Sequence, residues 1–247
     1  MSTSKGHVLF DAGITRRSLY ARLGELGVAP SSLDAVVVSH EHSDHVQGLL
    51  SLLRHQKSDT QRRKPLPVFL NQRTRAAIDW KSVEAHVEVV EVGRRFQVAD
   101  IEIDTFTIPH DAADPMAFSL QAEGHRFGLL TDLGYVPESV KVHLRGCEFL
   151  LLESNHDLEM LKVGPYPWSV KQRVMGRNGH LSNEAAATFV AKDLEAKLRM
   201  LVLGHLSSHN NHPAIARVTM ESALRDCPVQ PQLEVVEQGG PIRAFVL

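Results

Sequence analysis

The chain has 247 residues, 43% hydrophobic and 23% charged, with a formal net charge of −2. That length suits one sizeable core, and the near-neutral charge excludes a broad basic face, so a polyanion has to be held by a local patch or by metal. Cys147 and Cys227 are the only cysteines, which excludes a disulfide framework and fits a reducing cytoplasm, and no apolar run approaches the ~20 residues of a membrane span.

Taken in chain order, His7–Phe10 reads as a strand, and Thr15–Gly27 as a helix with Leu19, Leu23 and Leu26 on one face and Gly27 as its stop. Asp34–His40 is a buried strand and Asp44–Gln56 a helix. The polar, basic stretch Lys57–Pro65 reads as an exposed loop, and Leu66–Leu70 as a strand. Then come "AHVEVVEV", "IEIDTFTI", "MAFSLQAEG" and "HRFGLLTD", a run of antiparallel-looking strands joined by turns. The last third alternates again: strand "EFLLLES", helix "SNEAAATFVAKDLEA", strand "RMLVLGH", helix "PAIARVTMESALR" and strand "LEVVEQ". Without repeats or a long Pro/Gly/Ser linker, this pattern predicts a single layered α/β domain, 1–247.

Fourteen histidines are more than a generic core requires, and three of them, with two acids, fall within His40–His45. Four apolar strands finish in a metal-capable residue: Val38 leads to His40, Ile108 to His110, Leu130 to Asp132 and Leu203 to His205. Taken singly, each is an ordinary strand-end residue. In layered α/β folds, ligands gather beyond the carboxyl ends of strands, and imidazoles and carboxylates at this density favour zinc, manganese or iron.

The pattern His40-x-His42-x-Asp44-His45 resembles the signature motif of the metallo-β-lactamase superfamily, and the resemblance runs over essentially the whole chain. It implies a four-layer αββα sandwich with two divalent metal ions, zinc or manganese. It further implies that His40, His42 and His110 hold one ion, that Asp44, His45 and His205 hold the other, and that Asp132 touches both. Asp44 thus counts among the catalytic groups, beside a bridging hydroxide that attacks the substrate. The β-lactam-hydrolysing branch usually lacks the bridging aspartate, so Asp132 argues against an antibiotic substrate. It leaves open thioester hydrolysis of the glyoxalase II kind, or a small phosphodiester.

Ser182 reads as an N-cap with Glu184 in the first turn, so His180 lies in the loop before a helix. That loop resembles one in the phosphodiesterase branch, RNase Z included, where the histidine contacts the scissile phosphate and helps to protonate the leaving oxygen. Glu153 sits where that branch carries an acid paired with this histidine; the alternative is a strand-end carboxylate with a local hydrogen bond. His156 reads as a structural residue. The blocks "FDAG", "SHEHSDHVQGL", "IPHDAADP", "LLTDLGYVPESV", "LESNHDLEML" and "GPYPWSVKQRVMGRNGHLSN" are similar to the bacterial WalJ (YycJ)-like group of metal-dependent nucleases, which implies 5′→3′ exonuclease action on DNA with a free end, single- or double-stranded. Members of that group carry an extra N-terminal strand before the "DAG" strand, and its absence here reads as a departure.

Lys171, Arg173 and Arg177 precede His180 and read as contacts to flanking phosphates, which position rather than specify. Tyr166 and Trp168 read as stacking surfaces for an end base; the other reading is a proline-stiffened loop that packs its aromatics while the cations stay solvated. No membrane partner is expected. A homodimer is one option that the sequence leaves open, and a catalytically silent scaffold is disfavoured by the full ligand set.

Overall fold

In the computed structural model, residues 1–58, 64–193, 195–237, 239–241 and 243–246 are described. The basic stretch read as an exposed loop falls largely on 59–63, outside the described residues. The chain divides into two compact units: Met1–Thr105 with Ala112–Met116 and a short C-terminal stretch, and Phe106–Asp111 with Ala117–Pro241.

The first unit alternates strands and helices: β1 (Val8–Phe10), α1 (Arg16–Glu25), β2 (Ala35–Val37), α2 (Ser43–Val46), α3 (Leu49–Ser58), β3 (Pro67–Leu70), α4 (Gln72–Ala77) and β4 (His86–Val89). β1 to β4 form an all-parallel sheet in chain order. Parallel strands covered on both faces read as continuous apolar runs, and Ala35–Val38 are indeed fully buried. Around them Leu19, Leu33, Leu49, Leu52, Val68 and Leu70 close one core. β4 corrects the antiparallel expectation for "AHVEVVEV". After α4 the chain returns and lays β4 parallel beside β3, and apolar alternation carries no information about strand direction. The helix expected over 44–56 is broken between α2 and α3. Gly48 N–H donates to Ala12 O at 2.8 Å, and a Cβ at Gly48 would stand 2.0 Å from Ile14 O, so the backbone turns out there. The unit also holds a hairpin, β5 (Arg95–Val98) against β6 (Ile101–Thr107). β5 went unread because only Phe96 and Val98 interrupt its polar residues.

The second unit contains β7 (Met116–Ala122), β8 (His125–Leu130), α5 (Glu138–Leu144), β9 (Phe149–Glu153), α6 (Leu158–Val163), α7 (Trp168–Met175), α8 (Asn183–Asp193), β10 (Met200–Gly204), α9 (Pro213–Leu224) and β11 (Gln232–Val235). β7 and β8 pair antiparallel through a turn at Glu123–Gly124, and β8 to β11 continue in parallel. The apolar faces of β8 to β11 pack on α5, α8 and α9 through Leu130, Val140, Leu152, Phe189, Val190, Leu201, Leu203 and Met220. Ser182 caps α8, its Oγ accepting from Ala185 N–H at 3.1 Å. α7 is a helix from Trp168 onward, a segment where the sequence offers no element beyond the proline-stiffened loop weighed for "PYPW", with Pro167 in the N-cap position that suits its missing N–H. Among the described residues no helix is long and apolar enough to cross a membrane.

Candidate metal centre

In the first unit, His40, His42, Asp44 and His45 lie between the end of β2 and the end of α2. The His40 ring centroid is 4.7 Å from that of His42 and 4.0 Å from that of His45. Asp11, at the end of β1, fixes the group. Its Oδ1 accepts from Ser39 N–H at 2.8 Å, and its Oδ2 accepts from Ser39 Oγ and from His45 Nδ1, both at 2.8 Å. Since the Ser39 hydroxyl gives its one proton to Asp11, it accepts from His40 Nδ1 at 3.0 Å. Both buried imidazoles therefore carry the proton on Nδ1 and keep the Nε2 lone pair.

In the second unit, His110 follows β6, Asp132 follows β8, Glu153 ends β9, His180 precedes α8 and His205 follows β10. Asp132, Glu153, His180 and His205 each offer a donor atom within 4.8 Å of the others. Asp132 Oδ1 is 3.5 Å from His205 Nε2 and 3.9 Å from His110 Nε2. Glu153 is fully buried and saturated: Oε1 accepts from His180 Nδ1 at 2.8 Å and His205 Nδ1 at 2.7 Å, and Oε2 accepts from the N–H groups of Leu133 and Leu181 at 3.1 Å. His110 Nδ1 donates to Gly179 O at 3.2 Å. A carboxylate or carbonyl only accepts, so His110 and His205 also hold Nδ1–H and present Nε2. Four imidazoles in two units are set in the same tautomer, the one that carboxylates and carbonyls impose on metal-ligating histidines.

Burial works to raise the Glu153 pKa, but the hydrogen bonds from both histidines outweigh it and hold the carboxyl well below the usual range. Burial works to lower that of His180, and the Glu153 bond and charge overcome it, leaving it raised. His110 is lowered, by burial first. His156 is 1% exposed and pushed down to about 4 by burial; neither ring nitrogen finds a hydrogen-bond partner among the described residues.

Of the five non-glycine residues with positive φ among the described residues, Ala99 and Glu123 lie in strand-connecting turns and the other three lie at the site. Asp11, Asp132 and His205 have φ of 58°, 63° and 56°, a left-handed region that L-residues other than Asn, Asp and Gly seldom enter. His205 is held there by Asn155, whose Nδ2 donates to His205 O at 2.9 Å. Asn155 is tied in turn to Asn211, which also bonds Ser154 O and exchanges amide bonds with Asn183.

The expected substrate contacts divide. Arg173 is exposed and ion-paired with Asp111, Arg177 lies over the Tyr135 ring at 4.5 Å, and Trp168 is 61% exposed. The Tyr166 ring faces His209 at 6.0 Å. Lys171 requires a correction as a phosphate contact: it is 8% exposed and its Nζ donates to Lys162 O at 2.7 Å. On α7 its side chain turns inward, a consequence hidden while no helix was read there. Sequence reasoning also missed Asp11 and the asparagines. Asp11 obeys the strand-end rule applied to the other four, directly after "VLF"; the asparagines leave no such signal.

A family model described as β-lactamase superfamily domain matches residues 7–205. The chain is 34% identical over 229 residues to "Exodeoxyribonuclease WalJ" of Streptococcus pneumoniae serotype 2 (strain D39), covering 91% of this chain and 82% of that protein. It is 32% identical over 234 residues to "Exodeoxyribonuclease YycJ" of Bacillus anthracis, covering 92% and 84%. Among solved structures, the metallo-β-lactamase fold protein YhfI of Bacillus subtilis superposes with a TM-score of 0.72 at 17% identity, over 96% of this chain and 87% of that one. The α/β class and the metallo-β-lactamase fold are thus those expected from the sequence.

Proposed function

The chain belongs to the β-lactamase superfamily, and from that premise we propose that its two units act as one cytoplasmic hydrolase domain, a two-metal exonuclease that degrades DNA from a free 5′ end. The observation that carries the metal part is the common tautomer of His40, His45, His110 and His205, each held at Nδ1 by an acceptor. The donors suit two divalent ions, zinc or manganese: His40, His42 and His110 for one, Asp44, His45 and His205 for the other, and Asp132 for both. When bound, such ions lower the pKa of water toward ~7 and stabilise charge developing on a phosphodiester.

The chain's own residues do the rest. His180, whose pKa the Glu153 bond and charge raise, is placed to give a proton to the oxygen that leaves when the phosphorus–oxygen bond breaks. Glu153, unable to donate, orients His180 and His205 together. Arg173 and Arg177 take flanking phosphates, and Trp168 offers its exposed ring to the end base. The DNA reading draws on the two relatives named as exodeoxyribonucleases.

The test is digestion of DNA labelled at one end by metal-reconstituted protein, beside a covalently closed circle of the same sequence and S-lactoylglutathione. Release from the labelled 5′ end with an intact circle is the expected result. Cutting of the circle would make it an endonuclease, release from the 3′ end would reverse the polarity, and thioester turnover alone would overturn the reading.

A further inference from the structure

In the second unit a hollow of about 440 Å³ is walled by Asp111, Arg173, Gly176, Arg177 and Asn178. It adjoins the candidate centre through the chain: Asp111 follows His110, Arg177 and Asn178 lead into His180, and the His110 and His180 rings are 5.1 Å apart. Two guanidiniums share it with one carboxylate. Asp111 Oδ2 accepts from Arg173 Nε, and Asp111 Oδ1 is 3.6 Å from His110 Nε2. Arg177 is steadied by the Tyr135 ring.

Only the arginines fit a DNA phosphate; the carboxylate opposes one. Its presence needs a reason, and its exposure supplies it. With side chains 63% and 29% exposed, the Arg173–Asp111 pair is of the kind that contributes only ~0.2–1 kcal/mol. A phosphate that accepts two bonds from a guanidinium fork competes well against such a partner.

Resting on the nuclease reading above, we propose that this hollow is a subsite for a phosphate flanking the scissile one, and that Asp111 is its built-in competitor. Asp111 holds Arg173 in place while the subsite is empty, yields it to an entering phosphate, and reclaims it afterwards. The grip on each phosphate is thereby kept weak, which suits an enzyme that must release a nucleotide and advance along the strand after every cut.

The experiment is anisotropy of a short fluorescent single-stranded oligonucleotide on metal-loaded protein, with calcium or another non-supporting ion to prevent cutting, for wild type, Asp111→Asn, Arg173→Gln and the double variant. Asp111→Asn should bind up to about fivefold more tightly, the gain that ~1 kcal/mol converts to. Its log–log salt slope should steepen by up to about 0.7, because no freed carboxylate takes up a cation. Arg173→Gln should bind about tenfold more weakly, and the double variant no more tightly than Arg173→Gln. Equal or weaker binding by Asp111→Asn, or a gain that persists without Arg173, overturns the proposal. Should Asp111→Asn lose metal, Arg173→Gln on α7 decides alone, and unchanged affinity there overturns it. Wild type that neither binds nor cuts DNA would sink the nuclease reading; wild type that cuts, with variants unmoved, would sink the subsite only.

Discussion

The two units build their donor sets in opposite ways. The first packs His40, His42, Asp44 and His45 into six residues around one strand end and one short helix, then ties His45 directly, and His40 through Ser39, to a single carboxylate after the neighbouring strand, Asp11. The second gathers His110, Asp132, His180 and His205 from four separate places along some hundred residues and ties two of them to one buried carboxylate, Glu153. A contiguous set needs little more than local backbone geometry to hold its shape. A dispersed set needs the whole sheet, and a buried anion accepting four hydrogen bonds, before its side chains meet. The second unit should therefore be the more sensitive to loss of its buried carboxylate.

The largest effect should come from Asp132→Asn, which preserves a residue tolerant of the left-handed backbone while removing the charge. We expect loss of both ions by elemental analysis and a fall in DNA cleavage of about 10³-fold or more, since metal stabilisation of developing charge is worth several kcal/mol. Retention of one ion with half the donors silent would break the comparison. Next, His180→Ala should lower turnover about 10²–10⁴-fold with metal content unchanged; proportional metal loss would return His180 to a ligand role.

Asp11→Asn tests the single buttress. An amide NH2 in place of Oδ2 can no longer accept from both the Ser39 hydroxyl and His45 Nδ1–H, so metal affinity measured against a chelator should drop about 10–100-fold. A drop smaller than that of Glu153→Gln would sharpen the contrast between one tie and two. The smallest effect concerns stability. His156 is neutral when folded, with a pKa of about 4 against 6.5 unfolded. The unfolded chain therefore binds the extra proton first, and stability falls as pH drops from about 6.5 to 4, by on the order of 3 kcal/mol in all. Urea midpoints over that window should decline for wild type and flatten for His156→Phe; parallel curves would show that His156 is not the responsive group.

These contrasts also explain what the sequence showed. His40–His45 was legible because its donors are adjacent in the chain. The strand-end rule reached His110, Asp132 and His205, and a family resemblance was needed to assign their roles, because pairing at a distance leaves no local period. Lys171 was misplaced because proline-rich "GPYPW" masks a helix that begins just behind it, and only helical spacing reveals an inward side chain. Asn155, Asn183 and Asn211 act through amide bonds to backbone carbonyls and to one another, and an asparagine in a polar loop looks the same whether or not it does so. β4 had the right periodicity and the wrong direction, since pleating is common to both pairings.

The left-handed turns at Asp11, Asp132 and His205 have a thermodynamic consequence. Each such conformation costs of order 1–3 kcal/mol, and here folding meets that cost in advance: Ser39 bonds Asp11, Glu153 accepts from the N–H of Leu133 next to Asp132, and Asn155 bonds the His205 carbonyl. Little reorganisation is left for an arriving ion, so loading is expected to proceed with hardly any change in ellipticity or heat capacity. Within each unit, the donor turns of the chelated protein would then keep their shape, ready to take up an ion without refolding.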